Sequence, residues 1–128
     1  MKKEDMREGL KVLFIDNSRL LRKSMEFYFK NKAALFVSAE SAEQGIRHVE
    51  HHCFDIVICD FNLDGMNGLM FFEILKKRGS RAKTIVISAY VDHKMCVKAS
   101  RIGVSALIKK PLDGFTVERV ISEVTMVD

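Results

Sequence analysis

The stretch KVLFIDNSRLLRK, Lys11 to Lys23, changes character halfway along. Lys11 to Ile15 reads as a short strand, with an apolar run too continuous for a sheet with one wet face. A carboxylate and an amide, Asp16 and Asn17, stand at its exit. From Ser18 to Lys30 the pattern is helical. Leu21, Met25 and Phe29 repeat every four residues and Ser18 is placed to cap the first turn. A strand passing straight into a helix is the repeating unit of α/β proteins, and polar groups at that junction are where such proteins carry chemistry.

The unit recurs along the chain. Further apolar runs are ALFVS (34–38), DIVIC (55–59), KTIVIS (83–88) and SALIK (105–109), all rich in Val, Ile, Leu or Phe. Helical patterns lie between them. Ser41 to His52 opens SAEQ, which places Ser41 and Gln44 to cap each other's backbone. Leu69 to Lys77 carries Phe72 and Leu75 and ends on two lysines, as suits a helix C-terminus. Asp92 to Ile102 follows. Phe115 to Val124 is the last, with Val117, Val120, Ile121 and Val124 as its buried stripe. Strict alternation requires right-handed crossovers and a parallel sheet between helical layers. The pattern by itself leaves the strand order open.

With 128 residues, of which 48% are hydrophobic, and a single proline, the chain suits one globular domain. Residues 11–126 are expected to form it and 1–10 to be a tail. No apolar run approaches the ~18 residues of a membrane span. The charged N-terminus MKKEDMREG lacks the apolar centre of a signal peptide, so a cytoplasmic protein is expected. Cys53, Cys59 and Cys96 show no CxxC spacing and read as reduced thiols serving as small hydrophobes. His48, His51 and His52 close a helix, where they suit its dipole better than a zinc ion. The formal charge of +4 is mildly basic. Direct nucleic-acid binding is not expected, because no aromatic–basic interleaving accompanies it.

Taken in order, the strand exits carry Asp16, then no acid after the second, Asp60 after the third, Ser88 after the fourth and Lys110 after the fifth. Each alone could be an ordinary solvated strand end. Together they form a kit for accepting a phosphoryl group. A carboxylate can attack phosphorus, a second helps bind a hard divalent cation, and an ammonium and a hydroxyl meet the phosphoryl oxygens.

These residues sit in stretches, FIDNS, VICDFNLDGMNG (57–68), VISA (86–89) and IKKPL (108–112), whose order and spacing resemble the receiver domain of bacterial response regulators, over Lys11 to about Val124. The resemblance implies a flavodoxin-like (βα)5 three-layer sandwich with strand order 2-1-3-4-5. It implies Asp60 as phosphoacceptor, with Ser88 as switch hydroxyl and Lys110 as phosphate-binding lysine, before a Pro111 whose peptide is often cis. Mg²⁺ would be held by Asp60, by Asp16 through a water, by the backbone carbonyl of Asn62 and weakly by Asn17. The implied partner is a sensor histidine kinase or phosphotransfer protein.

Three positions depart from that pattern. The family usually has a second acid where this chain has Asn17, so Mg²⁺ should bind more weakly. A unit charge at about 4 Å is worth roughly 1 to 4 kcal/mol between water and protein-surface dielectrics. Asp64 replaces the usual loop proline, and Leu107 the usual switch aromatic, with Tyr90 nearby. A phosphorylation-independent interaction module is therefore the alternative function. A flavin-binding protein would want glycines after the first strand, and NSRLLRK has none. Lys94, Lys98 and Arg101 make a basic stripe on the fourth helix. With Leu107 they would form an output face of helix 4, strand 5 and helix 5, open to an acidic partner or a homodimer.

Overall fold

The computed structural model describes residues 9–126, so residues 1–8 of the expected tail lie outside it. Five strands and five helices alternate: β1 Lys11–Ile15, α1 Arg19–Phe29, β2 Leu35–Ala39, α2 Ala42–His51, β3 Ile56–Asp60, α3 Gly68–Lys77, β4 Lys83–Ser88, α4 His93–Ile102, β5 Ala106–Lys109 and α5 Gly114–Thr125. The strands are all parallel, in the order β2-β1-β3-β4-β5. That is the expected flavodoxin-like sandwich. The chain reverses direction across the sheet between β1 and β3, and the crevice there is the usual ligand position in such folds.

The two faces of each strand serve different helices. Leu13, Ile15, Val57, Cys59 and Val86 pack against Ala42 of α2, Leu69, Phe71, Phe72 and Leu75 of α3, and Ala99 of α4. Val12, Phe14, Ile56, Ile58, Ile85 and Ile87 pack against Met25 and Phe29 of α1 and Val117, Val120 and Ile121 of α5. The period-two alternation of strand side chains thus divides one apolar run between two cores. The central strands are buried on both sides as expected. β2 lies at an edge and is half-buried over most of its length.

Local chemistry fixes the helix starts. Ser18 accepts from the Leu21 amide and Ser41 from the Gln44 amide, as expected. The Gln44 side chain, however, reaches past Ser41 and accepts from the Glu40 amide at 3.0 Å. α3 begins one residue earlier than expected, on an Asn67 cap that accepts from the Met70 amide at 2.9 Å. Two sequence expectations need correction. β2 runs on to Ala39, so an acid, Glu40, does follow the second strand. Of the cysteines only Cys59 is buried, so the small-hydrophobe reading fails for Cys53 and Cys96.

Candidate functional site

Parallel strands of similar length end on one edge, and hydrogen bonds there lock the exits together. The Asp16 amide donates to Ala39, the Phe61 amide to Ile87 and the Lys110 amide to the Ser88 carbonyl at 2.8 Å. Asp16 and Asp60 are thereby carried into nearly waterless positions, 0% and 4% exposed. Lys110, entering from the end of β5, places its Nζ 3.0 Å from Asp16 Oδ2 and 3.0 Å from Asp60 Oδ2. One ammonium thus faces two carboxylates, and the cluster carries a net negative charge.

The four oxygens are not equivalent. Asp16 Oδ1 accepts from the Ser18 amide at 2.8 Å, and Asp60 Oδ1 from the Asn62 amide at 3.1 Å. Asp60 Oδ2 accepts a hydrogen bond from Lys110. Asp16 Oδ2 is buried with no hydrogen-bond partner, since Lys110 approaches it as a charge but outside hydrogen-bond geometry. A buried carboxylate oxygen so placed carries a desolvation cost that a hard cation would relieve. The donor set fits a small divalent ion: two carboxylates of one negative cluster, with amide oxygens at the adjoining Asn17 and Asn62. Among the described residues, no three carboxylate, imidazole or thiolate groups converge anywhere. This pocket therefore offers a pair of acids and not a triad.

Burial pushes the Asp60 carboxyl above its ordinary value, Asp16 adds to the rise, and the bonds from Lys110 and Asn62 only partly offset it. Burial alone would lower Lys110, but the two carboxylates outweigh it and hold the ammonium above its ordinary value. Beneath them the Cys59 thiol is pushed well up, first by burial and then by Asp60 and Asp16, so it stays protonated.

Ser88 ends β4 on the same edge, 1% exposed, but its hydroxyl is turned into its own loop. It donates to the Tyr90 carbonyl at 2.8 Å and accepts from the Tyr90 amide at 3.2 Å. Tyr90 is 69% exposed, and Leu107 is half-buried against the core. Asn17, Asn62 and Asp64 are exposed. The Lys110–Pro111 peptide is cis.

Sequence reasoning passed over two contributors. Arg22 Nη1 donates to the Asp16 carbonyl at 2.8 Å, and Nη2 lies 3.7 Å from Glu40, so the guanidinium pins the exits of β1 and β2 together. Its position four residues after the Ser18 cap, on the same helix face, was the available signal. Gly68 is the other. A Cβ there would come 2.7 Å from the Asp60 carbonyl, so the start of α3 closes directly onto the end of β3. With the Gly68 amide donating to the Phe61 carbonyl at 2.9 Å, it closes the loop that carries Asn62 and Asp64.

A sheet of this order with paired acids and a lysine at its carboxyl edge is the architecture of signalling receivers. The response regulator receiver domain family matches residues 12–122, and the chain belongs to it. It is a CheY-like receiver domain of a two-component system, a signalling module of a kind that typically is not an enzyme. It is 29% identical over 119 residues to the probable chemotaxis protein CheY of Rhizobium etli, covering 88% of this chain and 87% of that protein. It is 28% identical over 104 residues to the Regulator of RpoS of Escherichia coli, covering 81% of this chain but 31% of that protein, so it spans about a third of that relative. Among solved structures, the N-terminal domain of an uncharacterised protein from Wolinella succinogenes superposes with a TM-score of 0.83 at 25% identity, covering 92% and 95% of the two chains. The chemotaxis response regulator CheY4 of Vibrio cholerae gives 0.83 at 17% identity over 91% and 98%, a likeness of fold alone. Among the described residues, no helix is long and apolar enough to cross a membrane.

Proposed function

We propose that residues 11–126 form one domain that accepts a phosphoryl group on Asp60 from a histidine kinase or phosphotransfer protein and changes its binding surface in response. The observation that carries this is the buried Asp60 carboxylate at the end of β3, held between Lys110 Nζ at 3.0 Å and the Asn62 amide at 3.1 Å, with Asp16 beside it. An Asp60 oxygen attacks phosphorus in line as the bond to the donor imidazole nitrogen breaks, and the imidazole leaves with the electron pair. Lys110, already charged and aimed at Asp60, turns from a carboxylate oxygen to a phosphoryl oxygen. A cation held by Asp16, Asp60, the Asn62 carbonyl and weakly by Asn17 would, when bound, neutralise phosphoryl oxygens and relieve the repulsion between the acids. Asn17 contributes no charge, so that site holds Mg²⁺ more weakly than one with three acids.

Ser88 supplies the readout. Drawing its hydroxyl towards a phosphoryl oxygen requires breaking its bond to the Tyr90 carbonyl, which releases the 89–91 segment leading into α4. The surface that changes would be α4, β5 and α5. There Lys94, Lys98 and Arg101 are exposed beside the half-buried Leu107, a basic face suited to an acidic partner or a second copy. Treatment with beryllofluoride and Mg²⁺ tests the reading by NMR. Amide shifts should spread from Asp60 through Ser88 into α4 and β5, and no adduct at any Mg²⁺ concentration would overturn it.

A second reading rests on Ser88 and Leu107. The hydroxyl is satisfied within its own loop, and the aliphatic Leu107 offers no hydrogen bond to an activation switch. On that reading the domain binds its partner without phosphorylation. Asp60→Asn separates the two: unchanged partner binding and output favour the second, and lost output favours the first.

A further inference from the structure

The opposite edge of the sheet, where strands begin, carries a feature unrelated to Asp60. Two depressions open there, of about 790 and 290 Å³, and they share Leu75, Ser80, Arg81, Ala82 and Lys83. They adjoin at the loop joining α3 to β4, whose residues line both, and together they are treated as one trough. The floor of the larger is apolar: Val57, Leu75 and Phe54 are 1%, 2% and 8% exposed, with half-buried Leu10 and Val49 beside them. The smaller continues it with Phe72 and Ile102.

The rim is basic. Arg78 is shared with Glu50 at 3.3 Å, whereas Arg81 and Lys83 are exposed and meet no acid among the described residues. Asp55, the acid in the wall, already accepts from the Lys11 amide at 2.9 Å. Lys76 lines the smaller depression and binds the Ile102 carbonyl through Nζ at 3.3 Å.

We propose that this trough docks an extended acidic segment of a partner protein whose apolar side chains enter the two depressions. Unpaired cations above an apolar floor are complementary to a ligand that is anionic and apolar at once. A segment that fills both adjoining depressions must run extended between them, and a strand-like peptide presents alternate side chains on one face. Carboxylates would meet Arg81 and Lys83, with the planar Arg81 fork able to hold one bidentately. A nucleic-acid backbone has the charge but nothing to fill the floor. Its lining also offers no row of stacking platforms, since His52 is its one exposed ring, Phe54 and Phe72 are 8% and 2% exposed, and the exposed rings Phe27, Tyr90 and Phe115 do not line it.

The ¹⁵N-labelled chain titrated with a synthetic peptide alternating glutamate and leucine tests this. Saturable amide shifts are expected over 52–55, 78–83 and 102–105. Arg81→Glu with Lys83→Glu should weaken binding at least tenfold, as should replacing the peptide's leucines by serine. Equal binding of the serine peptide would reduce the site to bare charge and overturn the proposal. Shifts confined to α4, β5 and α5, or no saturation, would also overturn it. Tighter binding of a single-stranded oligonucleotide would reassign the trough to nucleic acid. Acetyl phosphate should label the doubly substituted chain as fast as the parent, so this proposal and the phosphoacceptor reading fail independently.

Discussion

Replacing Asn17 by aspartate would add a full negative charge beside Asp16, turning an acid pair into a triad. At about 4 Å a unit charge attracts a cation by roughly 1 to 4 kcal/mol between the two limiting dielectrics, and 1.4 kcal/mol is about tenfold in affinity. Asn17→Asp should therefore tighten Mg²⁺ at least several-fold in a calorimetric titration, and no gain would mean that Asn17 does not face the ion. Asp60 has an acid–base signature of its own. Because burial raises its carboxyl above 3.8, the folded state holds that proton more tightly than the unfolded chain. Ionising Asp60 in the fold therefore costs stability as pH rises from near 3.8 through the folded value, and the full cost applies above it. Asp60→Asn, which leaves Lys110 paired with Asp16 alone, should be more stable than the parent at neutral pH. The advantage should vanish as the pH falls back through that window in urea titrations.

At the scale of the element, the start of α3 carries the site as much as any acid does. Asn67 caps the helix, and Gly68 lets it close onto the Asp60 carbonyl, where an added Cβ would sit at 2.7 Å. Because the obstructing atom is backbone, relief requires moving the end of β3. Gly68→Ala should cost about 1 to 3 kcal/mol, the range for overpacking, and slow phosphorylation by displacing Asp60. Asn67→Ala should cost about 1 kcal/mol as a lost cap while leaving the carbonyl contact intact. Denaturant melts with acetyl phosphate labelling separate the two effects. On α4, Lys98→Glu should weaken an acidic output partner and flatten its salt dependence. An unchanged affinity would exclude that face.

Across the whole molecule, the two sheet edges differ in their charged groups. Asp16, Glu40, Asp60, Asp64, Asp92 and Asp113 lie at or just beyond the carboxyl ends of the strands, with Arg19, Arg22, Lys94, Lys109 and Lys110 among them. Lys11, Lys32, Arg78, Arg81 and Lys83 lie at the amino ends, with Glu50 and Asp55 among them. The buried acids Asp16 and Asp60 make the carboxyl edge the acidic end in the sense that suits a cation and a phosphoryl donor, and the more basic amino edge suits an anionic partner. Ligation at the acidic end should stabilise the whole fold by mass action, by about 2.7 kcal/mol at a hundredfold excess over Kd. Beryllofluoride with Mg²⁺ should accordingly raise the melting temperature of the parent and not that of Asp60→Asn.

The sequence alone determined the alternation of strands and helices, because burial on both faces leaves an apolar run and each crossover needs its own cap. Ser18, Ser41 and the carboxyl-edge residues Asp16, Asp60, Ser88 and Lys110 were legible for that reason, since each is set by its neighbours in the chain. Strand order came from resemblance and not from periodicity, which is the same for any winding. Only the tertiary structure could decide that Lys110 bridges Asp16 and Asp60, that Asp16 Oδ2 is left without a hydrogen-bond partner, and that Ser88 is held by Tyr90. Only it could gather Leu10, Val57 and Arg81 around one trough. These are contacts between residues far apart in the chain, or between side chain and loop. They arise from register and packing, which no local pattern encodes.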